Sequence, residues 1–331
     1  MKTINWGIIG CGGIANLFAT SLATLEEGRL LAGASRTPGR AQEFADKHGM
    51  ARVYTDYESL VADPEIDAVY VATTHNFHFE NIRLCLEHGK HVLCEKPFTV
   101  NAAQTRQLME LAREKQRFMM EAVWTRFLPA IVKLQQVLAA GAIGDVKTVT
   151  ACFCLGADFP AEHRLKNKAL AGGALLDLGI YPITFANLVF GAHPERIQSS
   201  VVMSETEVDE SSFYLLDYPN GGRAMLTSSM SAAAPNEGIV YGSKGFIRVP
   251  LFWGAQEFEI HRKGSDAPER IRAPYGDGEN FRFEIAHAME CIAAQKTESE
   301  ILPLSETLAV MQTMDTLRDQ WGLAYPDETR G

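Results

Sequence analysis

Two short stretches, far apart in the chain, carry the side chains best suited to moving a proton. Lys96 stands between Glu95 and Pro97, and Asp177 precedes Tyr181 by four residues. On a helix this spacing places Asp177 and Tyr181 on one face, with their Cβ atoms about 5 to 6 Å apart. Taken singly, Lys96 would be a surface charge, and the Asp177 and Tyr181 pair a structural hydrogen bond. Chemistry requires that the fold bring the two stretches together.

A glycine-rich turn near the N-terminus follows the first apolar run. Its residues fit the pattern G-x-G-x-x-A and are Gly10, Cys11, Gly12, Gly13, Ile14 and Ala15. In such turns the first glycine permits a tight bend, the second admits a pyrophosphate to the backbone N–H groups, and the alanine lets helix and sheet pack closely. The helix N-terminus then attracts the anion. We therefore predict a dinucleotide site here, the alternative being a turn without a ligand.

The end of the second apolar run indicates which dinucleotide binds. Proteins that bind NAD tend to place an acidic residue there, on the ribose 2′-hydroxyl. This chain instead has Ser35, Arg36 and Thr37, with Arg40 one helical turn later. Arginine pairs well with a 2′-phosphate and stacks on adenine, while the two hydroxyls donate hydrogen bonds. NADP is therefore favoured over NAD, unless the arginines only solvate a loop.

The elements that position these residues alternate along the first 120 residues, as in β-α-β units around a parallel sheet. Predicted strands cover residues 4–9, 30–35, 68–73, 91–95 and 118–121, and predicted helices cover residues 39–48, 77–88 and 102–115. Ligands bind at the carboxyl ends of such strands. We therefore assign Thr73, His75 and Glu95 to the cofactor crevice and His78 to the substrate, with ordinary hydrogen bonding as the alternative for both histidines.

The pattern changes after a predicted bridging helix at residues 129–140. Longer alternating runs at residues 146–154, 197–203, 211–217, 223–229 and 245–249 predict a large, mostly antiparallel open sheet. Helices are expected at residues 173–190 and 304–321, the last packing back on the first half. The predicted fold is α/β, with a Rossmann domain at residues 1–122 and an α+β domain for substrate binding and oligomerisation at residues 123–331.

Composition excludes several classes of protein. A formal net charge of −10 argues against nucleic acid and anionic membranes as partners, because both attract a basic surface. The six cysteines include no CxxC pair, so neither a zinc site nor a disulfide framework is expected. The N-terminus lacks the features of a signal peptide, and we expect a cytoplasmic protein.

Together these motifs resemble those of the Gfo/Idh/MocA family of oxidoreductases, over essentially the whole chain. The resemblance rests on the glycine turn, on Glu95-Lys96-Pro97, and on a G-G-x-x-x-D-x-G-x-(H/Y) pattern at residues 172–181. Residues 121–127, residues 173–181 and Ser35-Arg36 are similar to those of the dimeric dihydrodiol dehydrogenase and NADP-dependent D-xylose dehydrogenase branch. The family pairs an N-terminal Rossmann domain with an open-sheet substrate domain.

The resemblance implies that Tyr181 is the acid/base, Lys96 its partner, and Trp124 a wall of the substrate pocket, with Arg126 and Phe127 beside it. Physical chemistry agrees, because a neighbouring ammonium and the positive nicotinamide lower the pKa of a tyrosine that is otherwise near 10. Asp177 would hold a substrate hydroxyl or orient Lys96. The expected reaction is hydride transfer to or from a sugar, polyol or dihydrodiol, without a metal.

Other functions remain open. Reduction of 1,5-anhydrofructose or an inosose would use the same residues, whereas an NADP sensor that regulates a partner protein would have no need of an acid/base pair. A nucleic-acid module is disfavoured by the charge. The apolar face expected on the second sheet is larger than the few helices of that half can cover, which predicts a homo-oligomer, either a dimer or larger.

Overall fold

Two β-sheets organise the computed structural model, which describes residues 3–191, 193–326 and 328. The first sheet has six strands, all parallel, and the second has eight strands that are mostly antiparallel. This architecture confirms the predicted fold class. The predicted boundary between residues 122 and 123 falls where the last strand of the first sheet ends, and it stays a prediction.

The first sheet has the strand order β3-β2-β1-β4-β5-β6. Its strands are β1 Ile4–Ile9, β2 Gly28–Ala34, β3 Arg52–Tyr54, β4 Ala68–Val71, β5 His91–Glu95 and β6 Met119–Ala122. The helices between them are α1 Gly13–Leu22, α2 Arg40–His48, α3 Tyr57–Ala62, α4 His78–Glu87 and α5 Ala102–Lys115. The strand order reverses between β1 and β4, which opens a crevice at their carboxyl ends.

Burial explains which of these elements the sequence predicts. The central strands are apolar runs covered by helices on both faces, as parallel sheets require, and their predicted bounds differ from the observed ones by two residues at most. We did not predict β3 and α3 from the sequence. The strand β3 has three half-buried residues at the edge of the sheet, too few for an alternating pattern to be visible.

The second sheet has the order β14-β13-β12-β11-β7-β10-β9-β8. Its strands are β7 Val146–Cys154, β8 Arg196–Met203, β9 Asp209–Asp217, β10 Arg223–Ser229, β11 Glu237–Gly242, β12 Gly245–Pro250, β13 Glu257–Arg262 and β14 Glu269–Arg272. Among the described strands of this second sheet, only β7 and β10 pair in parallel. We did not predict β11, β13 or β14 from the sequence.

One apolar helix fills the inner face of this sheet. The predicted helix at residues 173–190 begins as a π-helical turn, Leu175–Gly179, and continues as α7 Ile180–Phe190. The segment Lys168–Phe190 is the one described helix long and apolar enough to cross a membrane, but 83% of its most apolar window is buried inside the fold. It is therefore the core helix of the second domain.

The remaining helices join the two sheets. They are α6 Pro129–Ala139, α8 Arg282–Ala293, which the sequence analysis missed, and α9 Leu304–Trp321. The helix α8 packs on α1, and α9 packs on α5. The Thr307 hydroxyl donates to the Glu121 carboxylate at 3.0 Å, and the Ala102 N–H donates to Asp315 at 2.8 Å. These contacts fix the second sheet beside the crevice of the first.

Candidate active site

The glycine turn lies between β1 and α1 and forms the floor of the crevice. Gly10 has φ +94°, and a Cβ there would lie 2.7 Å from the Ala72 carbonyl oxygen, so only glycine fits. At Gly12 and Gly13 a Cβ would meet no described atom within 4 Å. Ala15 is fully buried where α1 meets the sheet. The turn therefore presents bare backbone and a helix N-terminus to the crevice, as a pyrophosphate requires.

The tip of β2 carries the groups expected to select the 2′-phosphate. Ser35 is buried and its hydroxyl accepts the Thr37 N–H at 3.2 Å. The exposed Arg36 guanidinium lies 4.2 Å from the Phe77 ring centroid and 5.6 Å from that of Tyr57. Sequence reasoning missed both aromatic rings, because they lie on other segments. Arg36 and Arg40 form no ion pair within the described residues, which leaves their charges available to a phosphate.

A cavity of about 610 Å³ joins the glycine turn to the strand ends. Its lining comprises Gly10, Cys11, Gly12, Gly13, Ile14, Ser35, Arg36, Thr37, Arg40, Tyr57, Ala72, Thr73, Thr74, His75, Phe77, Glu95, Lys96, Arg164 and Asp177. The backbone of the glycine turn forms one part of this lining, and Arg36 and Arg40 form another. These residues fit NADP, which carries a pyrophosphate and a 2′-phosphate. Thr73, His75 and Glu95 line the cavity as expected; Ala15 packs beneath it.

The two stretches that carry the acid/base candidates meet at one end of this cavity. The Lys96 ammonium donates to the Asp177 carbonyl oxygen at 2.9 Å and to Asp177 Oδ1 at 3.1 Å. The same ammonium lies 5.1 Å from the centroid of the Tyr181 ring. Trp124 Nε1–H donates to the Tyr181 hydroxyl at 3.1 Å. The structure thus joins four residues that are separated by up to 85 positions in the sequence.

The turn that carries Asp177 is itself fixed by a buried carboxylate. The Leu175 N–H donates to Asp209 Oδ2 at 2.6 Å at the start of the π-helical turn. Gly173 has φ +120°, and a Cβ there would collide with the Asp209 carboxylate. The second glycine of the G-G-x-x-x-D pattern is therefore required by both its backbone angle and the close approach of Asp209.

At the junction, the pKa of Asp177 is lowered and that of Lys96 is raised. Burial raises the pKa of Asp177, but the Lys96 ammonium, the neighbouring His75 ring and the Arg164 guanidinium outweigh it and hold that pKa well below its usual range. Burial lowers the pKa of Lys96, yet the Asp177 and Tyr181 charges outweigh it, and the net pKa is raised. Asp177 is therefore a carboxylate and Lys96 an ammonium at neutral pH.

The pKa of Tyr181 reflects two opposing effects. Burial raises it to about 12, although the Lys96 ammonium lowers it. The expectation combined this ammonium with the positive nicotinamide; in the chain alone the ammonium acts in the expected direction, but desolvation of the phenolate is the larger effect. Tyr181 is therefore a protonated phenol at neutral pH, placed beside a fixed positive charge that favours its ionisation.

A second cavity, of about 410 Å³, opens on the other side of the junction. Its apolar wall consists of Ile14, Leu17, Trp124, Phe153, Leu155, Phe159, Leu165, Leu178, Trp253 and Phe281. Phe153 and Trp253 stack with centroids 3.8 Å apart and planes within 5°, and Phe153 meets Tyr181 edge to face at 5.5 Å. The polar residues Lys96, His163, Arg164, Asp177, Tyr181 and Asn280 complete the lining. This shape suits a small ring with apolar faces and polar substituents.

Most of the aromatic wall could not be identified from sequence. Trp124 was predicted from the resemblance, whereas Phe153, Trp253 and Phe281 belong to distant segments that only tertiary structure brings together. The alternation of β7 places Phe153 on the face opposite Cys152 and Cys154. That signal was present, but the sequence does not tell which face borders a cavity.

Arg126 and Phe127, two of the predicted substrate residues, lie outside both cavities. Arg126 is buried, pairs with Glu306 and donates to the Ile301 carbonyl at 2.8 Å. Phe127 is buried 5.1 Å from the His287 ring. Residues Trp124–Phe127 form a 3₁₀ turn, which points successive side chains in different directions, so Trp124 alone faces the cavity. The expectation for Arg126 and Phe127 is corrected accordingly.

The two histidines differ in position. His78 is fully buried, with its ring nitrogens 2.8 Å from the Pro97 carbonyl and 3.1 Å from that of Thr73. It therefore positions backbone and does not reach the substrate cavity, which corrects the prediction. His75 contacts the Ala171 carbonyl through Nδ1 at 3.1 Å, and its Nε2 lies 3.6 Å from Asp177 Oδ1. Burial lowers the pKa of His75.

The described residues contain no group of three or more His, Cys, Asp or Glu side chains able to hold a metal ion. The six cysteines are free thiols, and five of them are buried.

Family models match both halves of the chain. Residues 4–123 match the Gfo/Idh/MocA model described as an oxidoreductase family with an NAD-binding Rossmann fold, and residues 131–248 match the Gfo/Idh/MocA C-terminal domain. Among curated proteins, the chain is 37% identical to a trans-1,2-dihydrobenzene-1,2-diol dehydrogenase of Mus musculus, with 99% of each chain covered. The enzyme of that name from Homo sapiens is 36% identical, with the same coverage.

Solved structures with the same fold include two enzymes. A 3-ketoreductase from Actinomadura kijaniata, in complex with NADP and TDP-benzene, has a TM-score of 0.85 and 28% identity, covering 96% of this chain and 98% of its own. An aldose-aldose oxidoreductase from Caulobacter crescentus, complexed with glycerol, has a TM-score of 0.88 and 25% identity, covering 97% and 99%.

Proposed function

Because the chain belongs to the Gfo/Idh/MocA family of oxidoreductases, we propose that it is an NADP(H)-dependent dehydrogenase of small cyclic diols, with Tyr181 as the acid/base. The observation that carries the proposal is the position of the Lys96 ammonium. It binds Asp177 and lies 5.1 Å from the Tyr181 ring, where the two cavities meet.

Support for NADP comes from the cofactor cavity. The glycine turn and the N-terminus of α1 would hold the pyrophosphate, and Arg36, Arg40, Ser35 and Thr37 would hold the 2′-phosphate. When bound, NADP supplies the hydride for reduction or accepts it in oxidation. A related 3-ketoreductase has been solved with NADP.

The residues of this chain account for the proton. A Tyr181 pKa of about 12 keeps the phenol protonated at neutral pH, so in the reductive direction it can donate that proton to a carbonyl oxygen. In the oxidative direction Tyr181 must first ionise and then remove the hydroxyl proton. The Lys96 ammonium, assisted by the positive charge of the oxidised nicotinamide, stabilises the phenolate. Trp124 Nε1–H donates to the same oxygen and favours ionisation too.

The aromatic wall favours a dihydrodiol of an unsaturated ring, which matches the activity by which the mouse and human relatives are named. Aromatic side chains also stack on the apolar faces of sugars, so an aldopyranose is the second candidate, in line with the structurally related aldose-aldose oxidoreductase. The intact Lys96, Asp177 and Tyr181 constellation opposes a sensor that only binds NADP.

The test is a screen of NADP⁺ reduction with the purified chain against trans-dihydrodiols, aldopyranoses and inositols, with 1,5-anhydrofructose and NADPH for the reverse direction. We expect steady turnover with at least one cyclic diol and none after heat inactivation. Absence of turnover with every class, while NADP binding is retained, would contradict the proposal and favour the sensor. Small-molecule substrates, a cytoplasmic location and a homo-oligomer remain predictions of this account.

A further inference from the structure

Arg164 borders both cavities but belongs to none of the sequence motifs. It lies in the segment between the end of β7 at Cys154 and the 3₁₀ helix Lys168–Leu170. The residues that line both the cofactor cavity and the substrate cavity are Ile14, Lys96, Arg164 and Asp177. Arg164 is thus placed at the point where a substrate meets the reacting groups.

The guanidinium of Arg164 uses two of its N–H groups for hydrogen bonds within the described part of the protein. Its two terminal nitrogens donate to Asp177 Oδ1 and Oδ2, each at 3.2 Å, which is the long end of the hydrogen-bond range. The Arg164 side chain is 46% exposed, whereas that of Asp177 is 8% exposed. No other acceptor for the guanidinium is found among the described residues. Three of its five N–H groups therefore remain for a ligand.

The two carboxylate oxygens of Asp177 differ in the number of hydrogen bonds that they accept from the protein. Oδ1 accepts from the Lys96 ammonium at 3.1 Å and from Arg164, and it also faces His75. Oδ2 has Arg164 as its one hydrogen-bond partner within the described part of the chain. A carboxylate oxygen accepts about two hydrogen bonds, so Oδ2 can take another donor. A donor with spare N–H groups therefore stands beside an acceptor with spare capacity.

A hydroxyl group is the substituent that uses both, because it donates one hydrogen bond and accepts another. We propose that Arg164 and Asp177 Oδ2 bind the second, non-reacting hydroxyl of a vicinal diol, while Tyr181 exchanges a proton with the first. Arg164 is then the residue that makes the site prefer a vicinal diol to a lone alcohol. This inference rests on the proposed function and names the feature of the substrate that the same site recognises.

The site should prefer the diol because a substrate without the second hydroxyl loses its hydrogen bonds to Arg164 and Asp177. An alcohol without the neighbouring hydroxyl leaves Asp177 Oδ2 and the Arg164 N–H groups without that partner, and sites built to bind a hydroxyl discriminate strongly against analogues that lack it. Hydrogen bonds to charged groups correspond to roughly 10- to 100-fold in kcat/KM. Removing the guanidinium should therefore lower activity on the diol more than activity on the lone alcohol and abolish much of the preference.

The experiment compares two substrates in two chains. The substrates are a vicinal diol and its counterpart without the neighbouring hydroxyl: trans-cyclohexane-1,2-diol and cyclohexanol, or the best aldopyranose of the screen above and its 2-deoxy analogue. The chains are the unmodified protein and Arg164→Met. We expect the ratio of kcat/KM, diol over lone alcohol, to fall about tenfold or more in Arg164→Met, because the diol loses more activity than the lone alcohol.

Two further variants separate specificity from stability. Arg262→Met is the matched control, because Arg262 is 45% exposed and pairs with one carboxylate, Glu269, at 2.6 Å but lines neither cavity. Its ratio should not change. Arg164→Gln keeps an N–H donor and should retain part of the preference; it also replaces Arg164→Met if that variant does not fold.

Each remaining outcome has a distinct meaning. Equal loss of activity on both substrates in Arg164→Met would show that Arg164 only orients Asp177, and it would overturn the inference. An unchanged ratio would overturn it as well, as would an unmodified chain without preference for the diol. A chain that oxidises neither substrate contradicts the proposed function itself, so the two failures are distinguishable.

Discussion

The two cavities that meet at Lys96 and Asp177 are built in different ways. The cofactor cavity forms around the glycine turn, where β1, β2, β4 and β5 of one parallel sheet end together. The substrate cavity is lined by side chains from separate segments, around residues 124, 153, 159–165, 253 and 281. Strand order determines the cofactor cavity, whereas packing between the two domains determines the substrate cavity. Substitutions should therefore alter cofactor choice and substrate choice separately, and only the junction should affect both.

The largest effect should come from the junction itself. We predict that Lys96→Met lowers kcat for alcohol oxidation by about 10²- to 10³-fold, because the ammonium favours the Tyr181 phenolate. Since Lys96 lowers the pKa of Tyr181 and burial already raises it to about 12, removing the ammonium raises that pKa further. The rising limb of the pH–rate profile should then move to higher pH.

A pH series of kcat for both proteins checks this, with Lys133→Met as the control, since Lys133 lies outside both cavities. If the rising limb of the pH–rate profile stays at the same pH in Lys96→Met, Lys96 does not act on the titrating group. That result would contradict the special role assigned to the junction.

On the cofactor side, Arg36→Ala should remove most of the preference for NADP over NAD. A charge-assisted contact to phosphate contributes about 1.5 to 3 kcal/mol, which corresponds to at least tenfold in Kd. Titration of each cofactor by intrinsic fluorescence measures the change, and kcat at saturating NADP should hardly differ. Arg29→Ala, on the exposed part of β2, is the control. Equal Kd values for NADP and NAD in the unmodified chain would refute the assignment.

On the substrate side, Trp253→Leu should raise KM by about three- to tenfold at nearly constant kcat, because stacked aromatic pairs contribute about 0.5 to 1.5 kcal/mol beyond burial. The control is Phe246→Leu, which disrupts a similar stack with His261, at 4.3 Å and 7°, away from the cavity. A fall in kcat without a rise in KM would indicate that the wall orients the catalytic groups instead of binding the ring.

The smallest effect on chemistry should come from the outer face of the second sheet. Phe213, Leu215 and Met225 are 58%, 48% and 50% exposed there, an unusual concentration of apolar surface. We predict a dimer or larger oligomer through this face. Phe213→Glu should yield monomer in sedimentation velocity with little change in kcat, and Lys147→Glu should not. A monomeric unmodified chain at micromolar concentration would exclude this interface.

The contrast between the cavities also explains what the sequence predicts. The glycine turn, the arginines after β2 and the Glu95-Lys96 pair occupy positions that strand order alone determines, and the structure places all of them in one crevice. The aromatic wall depends on how a second sheet packs against that crevice. No local pattern distinguishes Trp253 or Phe281 from an ordinary core residue.

Packing outside the motifs determines two further features. Arg126 and Phe127 adjoin Trp124 in sequence, but the 3₁₀ turn directs their side chains into the core. The Lys96 ammonium lowers the pKa of Tyr181 as expected, but burial of the whole environment outweighs it in the chain alone. In each case a neighbour in sequence or space was identified correctly, and the surrounding packing determined the outcome.

The central claim is that Tyr181 exchanges the proton at this junction. The most direct measurement is kcat of Tyr181→Phe with the best substrate of the screen, together with the Kd for NADP and the melting temperature. The account predicts a fall in kcat of about 10²- to 10⁴-fold, with Kd and melting temperature within a few-fold and a few degrees of the unmodified chain. A variant that keeps most of its kcat, or loses it only in step with stability, would contradict the account.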